Sequence, residues 1–377
     1  MEDEKETLCL CALNRIFCYE PVVGLRLLEY FGTAAAVFEA PSGQLGGLLH
    51  ARPEYAGKVH RGALAESARE LESVERLGGR FVGLHSPAYP QLLRECPDRP
   101  LGLYVRSQTP VEDLFNSREA IAFVGTRDLS SYGREWCGNL VSTLSETSAK
   151  PLIVSGLAFG IDYVAHTTAL TLSLPTVGVM ATGIDRIYPS RHESLAERMV
   201  RTPGCALVSC YPLGTAPLAN QFLSRNRIIA GMSRATVLVE SKIRGGGLIT
   251  ARHAYSYDRD VYALPGRVDD VRSQGCNRLI RDKIAEPVIS REDFLDKLGL
   301  KAPRLRKQDV LTRAAGLFPD GSLELAVLKD VLAERGIDIR TLCARTDRPY
   351  AEVIAAALAL ESEGFLSMDI LQRCSVV

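Results

Sequence analysis

The chain has 377 residues, 46% of them hydrophobic and 24% charged, a balance that excludes a mainly disordered or collagen-like polypeptide and predicts two or three domains of about 100 to 200 residues. Forty-five Lys plus Arg offset 45 Asp plus Glu, so any affinity for a polyanion has to come from a local patch. The longest apolar runs, such as Pro175 to Gly183, reach nine residues, far short of the roughly 20 that cross a bilayer. The N-terminal MEDEKETLCL carries four acids and one Lys where a secretory signal would carry a basic region, so a cytoplasmic chain with no membrane association is expected.

Residues 1–80 read as a small helical domain: TLCLCALNRIF, then PVVGLRLLEYFGTAAAVFEAP, then a longer helix from about Tyr55 to Leu77. Val23, Leu27, Leu28 and Phe31 recur at the spacing of a packed helix face. Gly24, Gly32 and the Gly46-Gly47 pair are read as breaks. Modules of this kind include helix-hairpin-helix and sterile-alpha-motif-like units, some of which bind DNA backbone and some of which are purely structural. Ten cysteines form no CxxC pair, the closest being Cys9 and Cys11, and they read as small buried hydrophobes. Six scattered histidines add no HExxH and no i, i+4 pair. No metal or other cofactor is expected.

Residues 81–300 form the second predicted domain. From Ala120 onward, short β-branched runs alternate with Gly-containing turns and helical stretches: AIAFVG (120–125), PLIVSG (151–156), TVGVMATG (176–183), CALVSC (205–210), ATVLVE (235–240) and DVYALPG (260–266). Continuous apolar strands of this kind belong to a parallel sheet covered on both faces, which makes the fold class α/β. Ligands then bind beyond the carboxyl ends of the strands, where the strand order switches. REDFLDKLGLKAPRLRKQD after Ser290 reads as a linker. Residues 305–377 read as a winged-helix-like domain, with helices in 322–336, 338–347 and 349–370. Its last helix is read as displaying Glu352, Ala355, Ala356, Ala357, Glu361 and Glu363; helices that read DNA usually display Arg, Lys, Asn or Gln, so a protein-contact role is favoured.

Three strand ends carry candidate chemistry. After the first run, Gly125 lets backbone approach a phosphate, Arg127 adds a fixed fork and a helix is expected to start near Ser131; a turn with a surface Arg fits the same residues. After the second, SGLAFGID (Ser155 to Asp162) puts Gly156 and Gly160 in a tight loop like a phosphate-binding turn, although it is neither GxGxxG nor a P-loop. Ser155 as a nucleophile lacks the GxSxG setting, and His166 reads as a packed or capping residue. The third segment, from Asn220 to Lys283, holds twelve basic against six acidic residues between 225 and 283, together with Gly245, Gly246 and Gly247 just past a strand. Backbone amides and cations converge there on a phosphate; a solvated charged face is the plain alternative.

In this order and spacing, YPQLLRECPDRPLGLYVRS (89–107), FVGTR (123–127), SGLAFGID, ATGIDRIYP (181–189), SRNRIIAGMS (224–233), LVESKIRGGGLITA (238–251), ALPG and GCNRLI resemble the DNA-processing protein A family (DprA, also called Smf). The resemblance implies an extended Rossmann-like core that binds single-stranded DNA, flanked by a helical N-terminal module and a winged-helix C-terminus. It also implies a homodimer, without enzymatic activity of its own, that protects incoming single-stranded DNA and helps load RecA recombinase during natural transformation. Carried over, it points to Gly125, Arg127, Ser155, Gly156, Gly160, Arg225, Asn226, Arg227, Lys242, Gly245, Gly246 and Gly247 as DNA-binding, with Phe222 as a stacking platform for a base or, equally, a core aromatic. Departures occur at Leu223 in place of Pro, at His192 in place of Asn, at Gly245 and Gly247 in place of hydroxyl residues, and at Lys283-Ile284 in place of Gly-Ala. The alternative reading is a nucleotide-processing enzyme of the nucleoside-monophosphate phosphoribohydrolase type. IRGGGLITARHA lacks an acidic residue at the catalytic position of that class.

Overall fold

The computed structural model describes residues 2–300, 307–334 and 336–376. The chain divides into two compact units, Met1–Ala302 and Pro303–Val377. The first opens with helices α1 (Glu2–Phe17), α2 (Pro21–Phe31), α3 (Ala34–Glu39), α4 (Ser42–Leu48), α5 (Pro53–Ala56) and α6 (Arg61–Arg76). Gly32, at φ +82°, ends α2, and Thr33 starts α3 by accepting the Ala36 N–H at 3.1 Å. The helix expected from Tyr55 to Leu77 is two helices: the chain turns at Gly57, and His60 Nδ1 accepts the Gly62 N–H at 3.0 Å to begin α6 afresh. Gly24 is not a break. It lies inside α2, where a Cβ would stand 2.5 Å from Leu101 Cδ1, so its bare backbone sets how closely α2 packs. Gly46 and Gly47 also lie within α4.

The sheet of this unit contains β1 (Gly79–Gly83), β2 (Gly102–Arg106), β3 (Ala120–Val124), β4 (Leu152–Ser155), β5 (Thr176–Val179), β6 (Ala206–Ser209), β7 (Ala235–Leu238), β8 (Asp260–Ala263) and β9 (Glu286–Pro287). Interleaved are α7 (Gln91–Arg94), α8 (Ser131–Ser145), α9 (Ile161–Thr171), α10 (Glu193–Arg201), α11 (Ala219–Met232), α12 (Gly246–Ser256), α13 (Gln274–Arg281) and α14 (Arg291–Lys297). The spatial order is β1-β2-β6-β5-β4-β3-β7-β8-β9, parallel from β6 to β9 and antiparallel where β2 meets β1 and β6. The six apolar runs are β3 to β8. Alternate residues of β3 serve opposite faces: Ala122 and Val124 join a core with Ile228, Ile229 and Leu248, whereas Ile121 and Phe123 join one with Leu140, Val164 and Phe294. Both faces are dry, which is why these strands carry no polar alternation.

Part of the stretch read as a linker is structured. Ser290 accepts the Asp293 N–H at 3.0 Å to start α14, and Phe294 packs edge-on against Tyr262 with centroids 5.6 Å apart. Residues 301–306 of that stretch lie outside the described residues.

The second unit contains α15 (Lys307–Ala315), α16 (Leu323–Ala333), α17 (Ile339–Thr346) and α18 (Tyr350–Ser362), with β10 (Ile337–Asp338), β11 (Leu366–Met368) and β12 (Arg373–Val376) in an antiparallel sheet ordered β10-β12-β11. Asp338 starts α17 by accepting the Thr341 N–H at 2.9 Å. Three helices and a hairpin around Leu328, Val353 and Leu360 have the order of a winged helix. Ala356 and Ala357, read as displayed on α18, are instead buried, and Glu352, Ala355 and Leu358 face solvent. An i, i+3, i+4 count from Val353 puts Ala356 and Ala357 on its own buried side.

Candidate nucleic-acid interface

The order of the parallel strands reverses between β3 and β7, and their carboxyl ends run on together: Val239 N–H donates to the Val124 carbonyl at 3.1 Å and Thr126 N–H to the Glu240 carbonyl at 2.8 Å. Beyond this point lies an open groove of ≈ 770 Å³. Its floor depends on missing side chains. A Cβ on Gly247 would stand 3.0 Å from Gly125 Cα, and one on Gly125 would stand 2.5 Å from Ile161 Cγ1, so the start of α12 and the end of β3 meet backbone to backbone. Gly160, at φ +81°, lies under the next turn: a Cβ there would fall 2.1 Å from the Thr126 carbonyl and 2.7 Å from Arg127 Cα.

Around this floor stand Arg127, Phe222, Arg225, Asn226, Lys242 and Gly245 to Gly247. Arg127 is exposed, and its guanidinium lies 5.2 Å from the centroid of Phe222, whose ring is 5.3 Å from that of Tyr188. Among the described residues Arg127 makes no ion pair, to Asp162 or to any other carboxylate. Arg225 is buried; its Nη1 donates to the Val179 carbonyl and its Nε to Asn226 Oδ1 at 3.2 Å. Asn226 Nδ2 reaches the Gly246 carbonyl at 3.3 Å, tying α11 to the start of α12. A Cβ on Gly156 would stand 2.5 Å from Arg225 Nη2 and 2.6 Å from Asp162 Oδ2, so that glycine keeps the two charges near each other. Burial raises the Asp162 carboxyl above its ordinary range, with Arg225 opposing the shift; burial lowers the Arg225 guanidinium, with Asp162 opposing.

Two expected residues lie elsewhere. Ser155 is fully buried, and its Oγ donates to the Phe123 carbonyl at 2.6 Å, which stitches β4 to β3 and leaves nothing for a phosphate. Arg227 leaves the groove and donates through Nη1 to the Asp98 carbonyl. Gly156 and Gly160 shape the wall from behind it. Half of the twelve cations in the basic stretch are paired among the described residues: Arg234 with Glu119, Arg259 with Glu95, Arg267 with Asp269, Arg272 with Asp128, and Arg278 and Arg281 with Asp282. What remains for the groove is Arg225, Lys242 and Arg244.

Tyr188, Ser241, Leu223 and Arg244 line the groove without having been singled out as ligands. Ser241 bears on the departure at Gly245, because a Cβ there would stand 2.3 Å from Ser241 Oγ; a hydroxyl already occupies that space. Lys283 is outside the groove, at the end of α13.

His166, one turn into α9, is fully buried, with Nδ1 2.7 Å from Thr176 Oγ1 and, among the described residues, no partner for Nε2. Burial drives its pKa from 6.5 to about 3. A histidine held neutral in the fold stabilises it fully above its unfolded pKa and loses that contribution as pH falls from 6.5 toward about 3, at ~1.4 kcal/mol per pH unit. His166→Asn keeps a polar partner for Thr176 and removes the proton. Urea denaturation at several pH values is expected to give a slope one proton shallower in this window than for the unaltered chain, and equal slopes would mean that His166 titrates normally in the fold.

A parallel sheet whose switch point carries a glycine-floored, cationic, ring-bearing groove defines the Rossmann-like class of α/β protein. Residues 80–299 match the sequence profile of the DNA recombination-mediator protein A, and the chain belongs to that family. It is 32% identical over 297 residues to Protein Smf of Escherichia coli, covering 78% of this chain and 76% of that one. Against Protein Smf of Synechocystis it is 35% identical over 229 residues, spanning 61% of this chain but only 56% of that relative's length. Among solved structures, DNA processing protein A from Streptococcus pneumoniae aligns at TM-score 0.65 and 30% identity, covering 76% of this chain and 95% of that one. DNA processing protein A from Helicobacter pylori, described for its single-stranded DNA binding mode, aligns at TM-score 0.51 and 25% identity over 58% of this chain and 95% of that one. No helix among the described residues is long and apolar enough to cross a membrane.

Proposed function

We propose that this chain binds single-stranded DNA in the β3/β7 groove, with phosphates on Arg127, Arg225, Lys242 and Arg244 and an unpaired base on Phe222 and Tyr188. The observation that carries the reading is Arg127: an exposed guanidinium without a carboxylate partner among the described residues, fixed at a strand end and poised over an aromatic ring at 5.2 Å. A cation and a ring side by side match the alternation of phosphate and base along a single strand. Handing the strand to RecA, acting as a homodimer and serving natural transformation extend this proposal; they rest on the family's name as a recombination mediator and on the single-stranded DNA binding mode described for the Helicobacter protein. So does the division into a helical domain to residue 80, a DNA-binding core to 300 and a winged-helix-like domain from 305.

Gel shifts with single-stranded and duplex oligonucleotides of one sequence test the reading, with preference for the single strand expected. Because the contacts proposed are to phosphates and ring faces, sequence should matter little and salt a great deal: four neutralised phosphates give a slope of log K against log salt of about −3. A flat response would overturn the groove assignment. Nucleotide hydrolysis is the competing reading, and its carboxylates are otherwise engaged. Glu240 accepts the Ser130 N–H at 2.9 Å and Oγ at 2.5 Å, Asp128 pairs with Arg272 at 3.1 Å, and Asp162 accepts the Ala158 N–H at 3.2 Å. Release of adenine from AMP would favour it.

A further inference from the structure

Across Arg127 from the groove lies a second depression, of ≈ 460 Å³, to which Arg127 also contributes a wall. Its other walls include Phe159, Tyr163, Arg134, Arg191 and His192. Phe159 and Tyr163 leave 40% and 41% of their surface in solvent. Both rest on the buried His192 ring, with centroids 4.8 Å and 4.9 Å away, and His192 Nδ1 is held 2.9 Å from the Leu157 carbonyl. The two rings are thus supported from below and bare above. Single exposed aromatics are ordinary on a protein surface; a supported pair among three guanidinium groups is not. Arg127, Arg134 and Arg191 make no ion pair among the described residues, and no carboxylate lines the depression. The shelf and the groove also keep a fixed spacing, since Gly160 lies against the Arg127 backbone at the start of the helix that carries Tyr163.

We infer that this shelf is a second stacking site for the same strand: with one phosphate on Arg127, the polynucleotide continues over Phe159 and Tyr163, and Arg134 and Arg191 meet its flanking phosphates. The inference rests on the groove reading above. Unpaired polynucleotide is the occupant that fits, because base faces are bare only when unpaired, the surroundings are uniformly cationic, and Arg127 belongs to both sites. The departure at His192 then has a role, since this imidazole is the ring on which the other two rest.

The test compares oligothymidylates of about four and about twelve nucleotides, within the range of site sizes for single-strand grooves, on the full chain and on a Phe159→Ser, Tyr163→Ser variant. The longer strand is expected to lose at least about tenfold in affinity, from two stacked bases, and the shorter to stay within about twofold. Photocross-linking of 5-iodouracil placed along the longer strand should mark Phe159 or Tyr163 in the unaltered chain. If the serine variant fails to fold, Phe159→Leu with Tyr163→Leu keeps the bulk, removes the π face and should lose the same affinity. Unchanged affinity for the longer strand in a folded variant overturns the shelf. If Arg127→Ala weakens the shorter strand in the same experiment, the groove stands and the shelf alone falls; if the unaltered chain binds neither strand, both fall together. A variant that changes sedimentation without changing affinity would mark the shelf as a contact between copies of this chain, which also overturns the inference.

Discussion

Arg127→Ala is expected to weaken binding of single-stranded DNA by about 1.5 to 3 kcal/mol, the range for a hydrogen bond to a charged group, while the melting temperature moves by no more than about 2 to 4 °C. Little stability is at stake because the guanidinium is exposed and, among the described residues, unpaired with any carboxylate. Removing it forfeits its placement over Phe222 at 5.2 Å, worth about 0.5 to 1 kcal/mol at an exposed site. The loss in affinity is larger because the Arg127 backbone is fixed on two sides: the neighbouring Thr126 N–H is bonded to the Glu240 carbonyl at 2.8 Å, and Gly160 packs beneath. The fork is therefore preorganised toward a phosphate. Arg127→Lys should recover part of the loss, since a point charge cannot reproduce a planar fork. Titration calorimetry and thermal melting on one sample decide the matter; unchanged affinity in a folded Arg127→Ala protein removes the residue from the site.

The sheet was legible because its strands are buried on both faces. Runs such as AIAFV and ATVL need no partner knowledge to be read as parallel strands. The antiparallel β1 and the two-residue β9 carry no such run, and they emerge only from pairing with other segments. At the site, strand ends located Gly125 and Arg127, but motif contiguity misled at SRNR. On α11 the positions 222, 225, 226 and 229 follow the i, i+3, i+4, i+7 pattern of one helix face, and all four line the groove. Arg227 is off that face and bonds Asp98, so the period would have separated it from Arg225. Ser155 could not be resolved in the same way, because its bond to the Phe123 carbonyl crosses between strands whose register the sequence does not state. Tyr188 was missed for a different reason: it sits nine residues past the end of β5, beyond the turn in which strand-end chemistry is usually sought. The basic stretch overstated the charge of the groove because Arg234, Arg259 and Arg272 find carboxylates contributed by other segments, Glu119, Glu95 and Asp128, and Arg227 turns away to Asp98.

Gly160→Val is expected to be the most damaging single change near the groove, lowering stability by more than about 3 kcal/mol, since a backbone region reserved for glycine adds about 1 to 3 kcal/mol of strain and overpacking typically about 1 to 3 kcal/mol more. Residue 160 has φ 81° and ψ −125°. Its Cβ would meet backbone, the Thr126 carbonyl at 2.1 Å and Arg127 Cα at 2.7 Å, and no flexible side chain stands in between to yield. Relief can come only by moving the 125–127 turn or the start of α9, and the first of these displaces Arg127 from Phe222. Affinity per folded molecule should therefore fall together with the melting temperature, unlike Arg127→Ala, where affinity falls alone. Gly246→Ala is the matched control: a Cβ there meets nothing within 4 Å, the residue opens α12 at an ordinary helical position, and a gain of about 0.4 to 1 kcal/mol is expected from the stiffer unfolded chain. Thermal melting and oligonucleotide titration of both variants separate the outcomes. A Gly160→Val protein that melts and binds like the original would show that the turn carrying Arg127 relaxes freely, and preorganisation of that side chain would then have to be abandoned.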